Sequence, residues 1–409
     1  MRVLVADAFE SSGLEGLSAA GCEVLYQPDL SGDALEQALR VSEPDVLVVR
    51  STRVTEPMLD AGPRLSLVVR AGAGVNTIDV AAAARRGIYV SNCPGRNSTA
   101  VAELAIGLLI ALDRRIPDNV AELRAGRWNK KKFASESRGL YGRTLGLLGF
   151  GSIGQEVARR ARAFGMEVIV WSPRFLRDGA AALAALPRDL EVTVFRSPED
   201  VAARSDALSV HLALTPETGH FVGASILSRL KPGALFVNTA RAELVDEAAL
   251  RQAVETGGVR AALDVFAGEP AAGAAEFSPP LAALPGVYGT HHIGASTEQA
   301  QEAIAAEAVR VIRTYRDSGK VPNVVNLASR TPATHTLIVR HRDRPGVLAD
   351  VFAQLRLRDL NVQETENVIF EGAEAAVARI SLDSEPDGAL LQAIRTANPD
   401  VLSLQVVKR

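Results

Sequence analysis

Between Thr144 and Trp171 the chain runs through an apolar stretch, a glycine-rich turn, a helical pattern and a second apolar stretch. The turn reads Gly149-Phe150-Gly151-Ser152-Ile153-Gly154. It follows Leu145–Leu148 directly and precedes the helical pattern Gln155–Phe164 and the strand Glu167–Trp171. Strand, tight turn, helix and strand in that order predict a βαβ unit built to hold a dinucleotide. Gly149 permits the turn, Gly151 lets the backbone approach a pyrophosphate, and Gly154 lets helix and strand pack closely. The unpaired N–H groups and positive dipole end of the helix then meet the phosphate charge. Three spaced glycines alone carry little weight; their place between strand and helix carries the inference.

With 409 residues the chain has material for two or three domains. A formal net charge of -3 with 23% charged residues and no basic tract argues against nucleic-acid or membrane-surface binding. The cluster Lys130-Lys131-Lys132 is short, follows Trp128 closely and reads as a solvated loop. Cys22 and Cys93 are too few and too isolated for a disulfide framework or a zinc site, so no metal is expected and a reducing compartment is. Met1 leads straight into a strand, with no feature of a cleaved leader. The most apolar helical stretch, Ala100–Leu112, contains Glu103 and falls far short of the ~20 residues of a membrane span. A cytoplasmic protein is expected.

The first third alternates apolar strands (Val3–Ala6, Glu23–Tyr26, Val46–Val49, Leu67–Val69, Ile88–Val90) with helical patterns such as Gly32–Arg40 and Asp79–Arg86. Continuous apolar strands with helical crossovers imply a parallel sheet covered on both faces. One helix over Thr99–Arg124 leads into a second α/β set, with strands that include Val192–Phe195, Ala234–Asn238, Ala261–Asp264 and Val287–Gly289. The stretch from Val321 to Pro332 reads as a linker, and the remainder follows the order βαββαβ. The fold class is therefore α/β: two doubly wound parallel-sheet domains with a cleft between them, plus a C-terminal ferredoxin-like domain. The expected boundaries are 1–98 with 291–322, 99–290, a linker at 323–334, and 335–409.

Three charged residues follow strands of the second set, at the edge where open parallel sheets bind ligands. Arg241 follows Ala234–Asn238, Glu269 follows Ala261–Asp264, and His292 follows Val287–Gly289. Such a set suits hydride transfer to a 2-keto acid. Arginine grips a carboxylate bidentately and polarises a ketone, histidine exchanges the hydroxyl proton, and a carboxylate orients the imidazole. By position alone Arg241 equally serves to cap a strand end, Glu269 to sit in an exposed loop, and either His291 or His292 to face the site.

The stretches Arg70–Val75, Ala102–Leu104, Arg138–Gly154, Asn238–Arg241, Ala262–Phe266 with Glu269-Pro270, and His292–Ser296 resemble the D-isomer-specific 2-hydroxyacid dehydrogenases, in the family's order over about residues 45–300. The C-terminal segment resembles an ACT domain, through His341–Leu348 and Asn361–Glu364. The resemblance is greatest to members that oxidise 3-phospho-D-glycerate, the reaction that opens serine synthesis. It implies His292 as acid/base, Glu269 as its partner and Arg241 on the substrate carboxylate and carbonyl. Gly149, Gly151, Ser152, Ile153, Gly154, Ser172 and Thr215 would line the cofactor, with Asp264 and Gly294 near its carboxamide. Backbone amides of Gly74 and Val75 would hold the substrate carboxylate, with Arg50, Ser51, Arg70 and Asn97 near its distal end. His341, Asp343 and Asn361 would face an amino-acid effector, L-serine, and a homodimer or homotetramer is expected.

Three positions depart from the family pattern. His291 replaces a usual proline, Ala242 a common glycine, and Trp171-Ser172-Pro173-Arg174 stands where an acid normally binds the adenosine ribose. NAD is the expected cofactor, with NADP the alternative through Arg174 or Arg177. Arg50, Arg53 and Arg70 are the candidate partners of a substrate phosphate. The rival readings are a glyoxylate or hydroxypyruvate reductase, which binds no phosphate, and a non-enzymatic dinucleotide-binding redox sensor. A sensor needs no proton-transfer residue.

Overall fold

The computed structural model describes residues 1–134, 137–187, 190–270, 275–328 and 330–409. They form two compact units, Met1–Asn326 and Leu327–Arg409. The first unit contains two parallel sheets. Strands β1 (Arg2–Val5), β2 (Glu23–Tyr26), β3 (Val46–Val49), β4 (Leu67–Arg70) and β5 (Tyr89–Asn92) make a sheet in the order β2-β1-β3-β4-β5. Strand β3 is buried throughout, and β4 up to Arg70, because helices cover both faces. One face packs Leu35, Leu39, Met58 and Ala82. The other receives Ile304, Ala308, Val311 and Ile312 of the helix Glu298–Ser318.

The second sheet comprises β6 (Thr144–Leu148), β7 (Glu167–Trp171), β8 (Thr193–Val194), β9 (Ala207–Val210), β10 (Leu235–Asn238), β11 (Arg260–Leu263) and β12 (Val287–Gly289). Their order is β12-β11-β10-β9-β6-β7-β8, all parallel, so the chain switches direction between β6 and β9. The first sheet switches between β1 and β3. At such points the connecting loops part and leave a crevice beyond the strand ends. This α/β architecture is the one expected from the strand patterns.

Three local expectations are corrected. The helix expected over Thr99–Arg124 breaks into Ser98–Arg114 and Ile116–Arg124, with Arg115 left-handed at φ 52°. Pro117 explains the break: its ring lacks the N–H and clashes with the preceding turn. The strand expected over Val192–Phe195 shrinks to two residues at the sheet's outer edge. Residues 323–326, expected in a linker, lie along β5. Val324 bridges Ser91, and the Asn326 side chain accepts from Val90 N at 2.9 Å and donates to Ile88 O at 2.8 Å.

The C-terminal unit holds β13 (His335–Arg342), β14 (Val362–Ile369), β15 (Ala375–Leu382) and β16 (Val401–Lys408) in the antiparallel order β14-β15-β13-β16. Helices Val347–Leu357 and Gly388–Ala397 bury Val351, Leu355, Leu390 and Ile394 against Leu337, Val339 and Ile380. Because the crossovers place β13 and β15 in the centre, β14 and β16 are both edges. Among the described residues no helix is long and apolar enough to cross a membrane.

Candidate active site

At the β6 end, Gly149 has φ 100°, and a side chain there would meet the His211 carbonyl oxygen at 2.4 Å. A side chain at Gly154 would lie 2.5 Å from the Gly149 carbonyl oxygen. Packing therefore demands both glycines. Gly151 is different: nothing lies within 4 Å of where its side chain would be. Its bareness keeps backbone open on the outer side, where the helix Ser152–Ala163 begins without a side-chain cap. Exposed Gly151 and Ser152, with half-buried Ile153 beneath, make a cradle that fits a pyrophosphate. Ser172 is buried just after β7. Thr215, exposed beyond β9, donates its backbone N–H to Thr218 Oγ1 at 2.7 Å.

Beyond β11 and β12, His292 Nδ1 lies 2.5 Å from Glu269 Oε1. Neighbouring His291 makes no such contact, although both rings are exposed. Burial pushes the Glu269 carboxyl up, but the His292 hydrogen bond and charge, with the Phe266 N–H, outweigh it and leave it below the usual range. His292 sits at φ 53°, a left-handed conformation costly for a residue with a β-carbon. Buried Asp264 holds the loop there. Its Oδ1 accepts from Thr290 Oγ1 at 2.7 Å and Ile293 N at 2.8 Å, and its Oδ2 accepts from Gly294 N at 2.9 Å. Asp264, assigned by resemblance to the cofactor's carboxamide, thus spends both oxygens on the loop that carries the imidazole. Gly294 is tight for the same reason, since a side chain there would meet Asp264 Oδ2 at 3.1 Å and Val101 at 3.3 Å.

Arg241 is aimed by a side-chain turn: Asn238 Oδ1 accepts from Ala240 N at 3.0 Å, and Asn238 Nδ2 donates to Arg241 O at 2.9 Å. Its guanidinium reaches the other sheet's domain, where a side chain on Gly74 would lie 2.3 Å from Arg241 Nη2. Arg70 lies over the same turn, close enough that any side chain on Gly72 would collide with its Nη1. Burial first, then the charges of Arg241 and Arg50, push Arg70 down to about 10. Its Nε is buried without an acceptor. Gly74 and Val75 donate their N–H groups to no described residue. Asp7, at the β1–β3 switch, accepts from the backbone N of Arg50, Ser51 and Thr52 at 2.6, 3.1 and 3.0 Å, so that loop is rigid. Asn97 starts the helix Ser98–Arg114 with its Oδ1 buried and unpaired. Arg53 is exposed. The cleft thus gathers three arginines with unfilled donors beside a carboxylate–imidazole pair.

Residues 106–294 match the NAD-binding domain of the D-isomer specific 2-hydroxyacid dehydrogenases. A D-3-phosphoglycerate dehydrogenase of Methanocaldococcus jannaschii is 34% identical over 384 residues, 93% of this chain and 67% of that protein. This chain belongs to the D-isomer-specific 2-hydroxyacid dehydrogenase family. It thus spans about two thirds of that relative's length. A hydroxypyruvate reductase of Thermotoga maritima is 43% identical over 274 residues, 66% of this chain and 85% of that one. Among solved structures, NAD-bound 3-phosphoglycerate dehydrogenase of Entamoeba histolytica matches with a TM-score of 0.64 at 27% identity, covering 80% of this chain and 99% of that one. The matched domain is an NAD-binding one, and the glycine cradle of this dehydrogenase fits that cofactor.

Two polar residues that lie beside the candidate site, Asp7 and His211, were not singled out from the sequence. Asp7 stands just after β1, and no local pattern marks it, because the N–H groups it accepts from follow β3. His211 follows β9, its Nε2 2.8 Å from Ser209 Oγ and its Nδ1 buried without a partner. Burial pushes it down to about 4, so it stays neutral at physiological pH. In the C-terminal unit His341, expected to face an effector, is instead turned inward. It is 2% exposed, with Nδ1 2.8 Å from Arg342 O and Nε2 3.2 Å from Asn367 Oδ1. Asp343 is half-buried and Asn361 exposed. Among the described residues no His, Cys, Asp and Glu group could hold a metal.

Proposed function

We propose that this chain oxidises 3-phospho-D-glycerate to 3-phosphohydroxypyruvate with NAD, the first step of serine synthesis. The bound nicotinamide would supply the hydride acceptor for C2. His292 takes the hydroxyl proton on Nε2, the nitrogen left over by its bond to Glu269, and Glu269 stabilises the imidazolium that results. Arg241 and the N–H groups of Gly74 and Val75 bind the carboxylate, and Arg241 polarises the forming carbonyl. The observation that carries the phosphorylated substrate is Arg70. Its guanidinium is half-buried, with Nε shut off from water, beside Arg50 and Arg241, and no described carboxylate forms an ion pair with it. A phosphate dianion is the group such a cluster stabilises most. The 43% identity to a hydroxypyruvate reductase favours the unphosphorylated rival. Rates with 3-phospho-D-glycerate, D-glycerate and D-lactate decide between them. A kcat/KM at least tenfold higher for the phosphorylated acid is expected, and parity with D-glycerate refutes it.

The C-terminal unit is proposed to assemble subunits through its edges, where Val368, Ile369 and Phe370 are exposed. L-serine would bind at the joint, near Asp343 and Asn361, in a homodimer or homotetramer. Calorimetry with millimolar L-serine tests the effector, and no heat with no inhibition removes it while leaving assembly intact.

A further inference from the structure

The chain passes between its two parallel sheets twice. It leaves the first through residues 93–97, between β5 and the helix Ser98–Arg114, and returns through residues 290–297 into the helix Glu298–Ser318. The outgoing segment touches both sides of the cleft. Asn92 Nδ2 donates to Ala73 O at 2.5 Å and Cys93 N to Gly72 O at 2.9 Å, directly before the Gly74 and Val75 amides. Gly95, left-handed at φ 76°, lies against the cofactor cradle, where a side chain would meet Ser152 Oγ at 3.9 Å.

One carboxylate holds both ends of this segment. Glu307, on the returning helix, is buried. Its Oε2 accepts from Arg96 Nη2 at 2.7 Å and Arg310 Nε at 3.0 Å, and its Oε1 from Arg310 Nη2 at 2.6 Å and Asn323 Nδ2 at 2.7 Å. Asn323 Nδ2 also donates to Asn92 O at 3.2 Å. We propose that Glu307, acting through Arg96 and Asn323, is a positioning residue for hydride transfer: it fixes residues 92–97, and with them the separation between the substrate turn and the cofactor cradle. The inference rests on the reading of the chain as an enzyme that oxidises a 2-hydroxy acid. Reaction needs the reacting atoms held about 3–3.5 Å apart, and a misplacement near 1 Å costs roughly 10²-fold. A buried carboxylate filled by four N–H contacts resists such a shift, because losing one leaves charge uncompensated away from water. The cradle itself belongs to the second sheet, so cofactor binding survives a changed separation whereas hydride transfer does not.

The test is single-turnover formation of NADH, with NAD affinity measured by calorimetry on the same full-length variants. The substrate is whichever of 3-phospho-D-glycerate, D-glycerate and D-lactate the wild type turns over fastest. The Arg96 side chain is 48% exposed, so shortening it opens no hole in the core. Arg96→Met should slow hydride transfer roughly 10–10²-fold at saturating NAD and acid, while the Kd for NAD changes less than about threefold. Arg96→Lys, which restores a single donor to Glu307, should recover most of the rate. Arg310→Met takes the other guanidinium from the same carboxylate but lies outside residues 92–97, and should change the rate less than about threefold. An Arg96→Met rate within about threefold of wild type overturns the proposal. So does an Arg310→Met loss equal to that of Arg96→Met, or an NAD affinity that falls in step with the rate, either of which would make the cluster a support for the fold alone. Wild-type turnover of none of the three acids is a different result, because it removes the reading of the chain as a 2-hydroxy-acid oxidase of this kind.

Discussion

Replacing Arg70 with methionine should weaken phosphate binding and stabilise the protein in the same variant. Burial and two neighbouring arginines hold its pKa at about 10, against an ordinary value above 12. Each pH unit of that difference is worth about 1.4 kcal/mol, so carrying the charge costs the folded protein at most about 3 kcal/mol at neutral pH. Methionine keeps much of the volume and removes the charge, so Arg70→Met should raise the melting temperature or leave it unchanged. The same change removes a charge-assisted contact to the substrate phosphate, about 2–3 kcal/mol, or roughly a hundredfold in KM for 3-phospho-D-glycerate. D-Glycerate, which has no phosphate, should lose less than about threefold. Steady-state kinetics on both acids and a thermal melt give the readouts. A variant that melts lower and loses both substrates equally would show that Arg70 supports the fold rather than the phosphate.

His292→Asn should lower kcat roughly 10²–10⁴-fold while His291→Asn stays near wild type; the opposite ranking would move the acid/base to His291. Glu269→Gln should shift the alkaline limb of ketone reduction to lower pH, because the charge that favours the imidazolium is gone; an unmoved limb in a pH–rate profile refutes that pairing. Glu307 is 4% exposed, and hydrogen bonds from Arg310, Asn323 and Arg96 hold its carboxyl at about 2. That depressed value contributes stability above the ordinary carboxylate pKa and loses it as pH falls toward 2. Glu307→Gln should therefore cost up to about 3 kcal/mol at pH 7, and the gap from wild type should narrow by about half in melts taken toward pH 3. A gap that persists undiminished into acid contradicts the linkage. Truncation after Leu327 should lower the oligomeric state seen by light scattering, and an unchanged mass rejects assembly through the C-terminal unit.

Local pattern alone determined the parallel sheets, the glycine cradle and the order of the C-terminal elements. Apolar periodicity, glycine spacing and strand–turn–helix order act over a few residues and survive without knowledge of neighbours. The break at Arg115 belonged to that class as well, since Pro117 announces it. Partners across the chain were beyond such reading. Asp7 can hold the amides of Arg50, Ser51 and Thr52 only because β1 and β3 are neighbours in the sheet. Asp264 grips residues 290–294 because β11 and β12 are paired. His291 and His292 are adjacent and chemically equal; the left-handed turn at His292, imposed by that grip, sets which ring meets Glu269. Arg70 is one arginine among many in the sequence. Its half-buried, unpaired charge arises only when crossovers bring it beside Arg50 and Arg241, because desolvation and like-charge proximity are properties of the packed cleft and not of the residue.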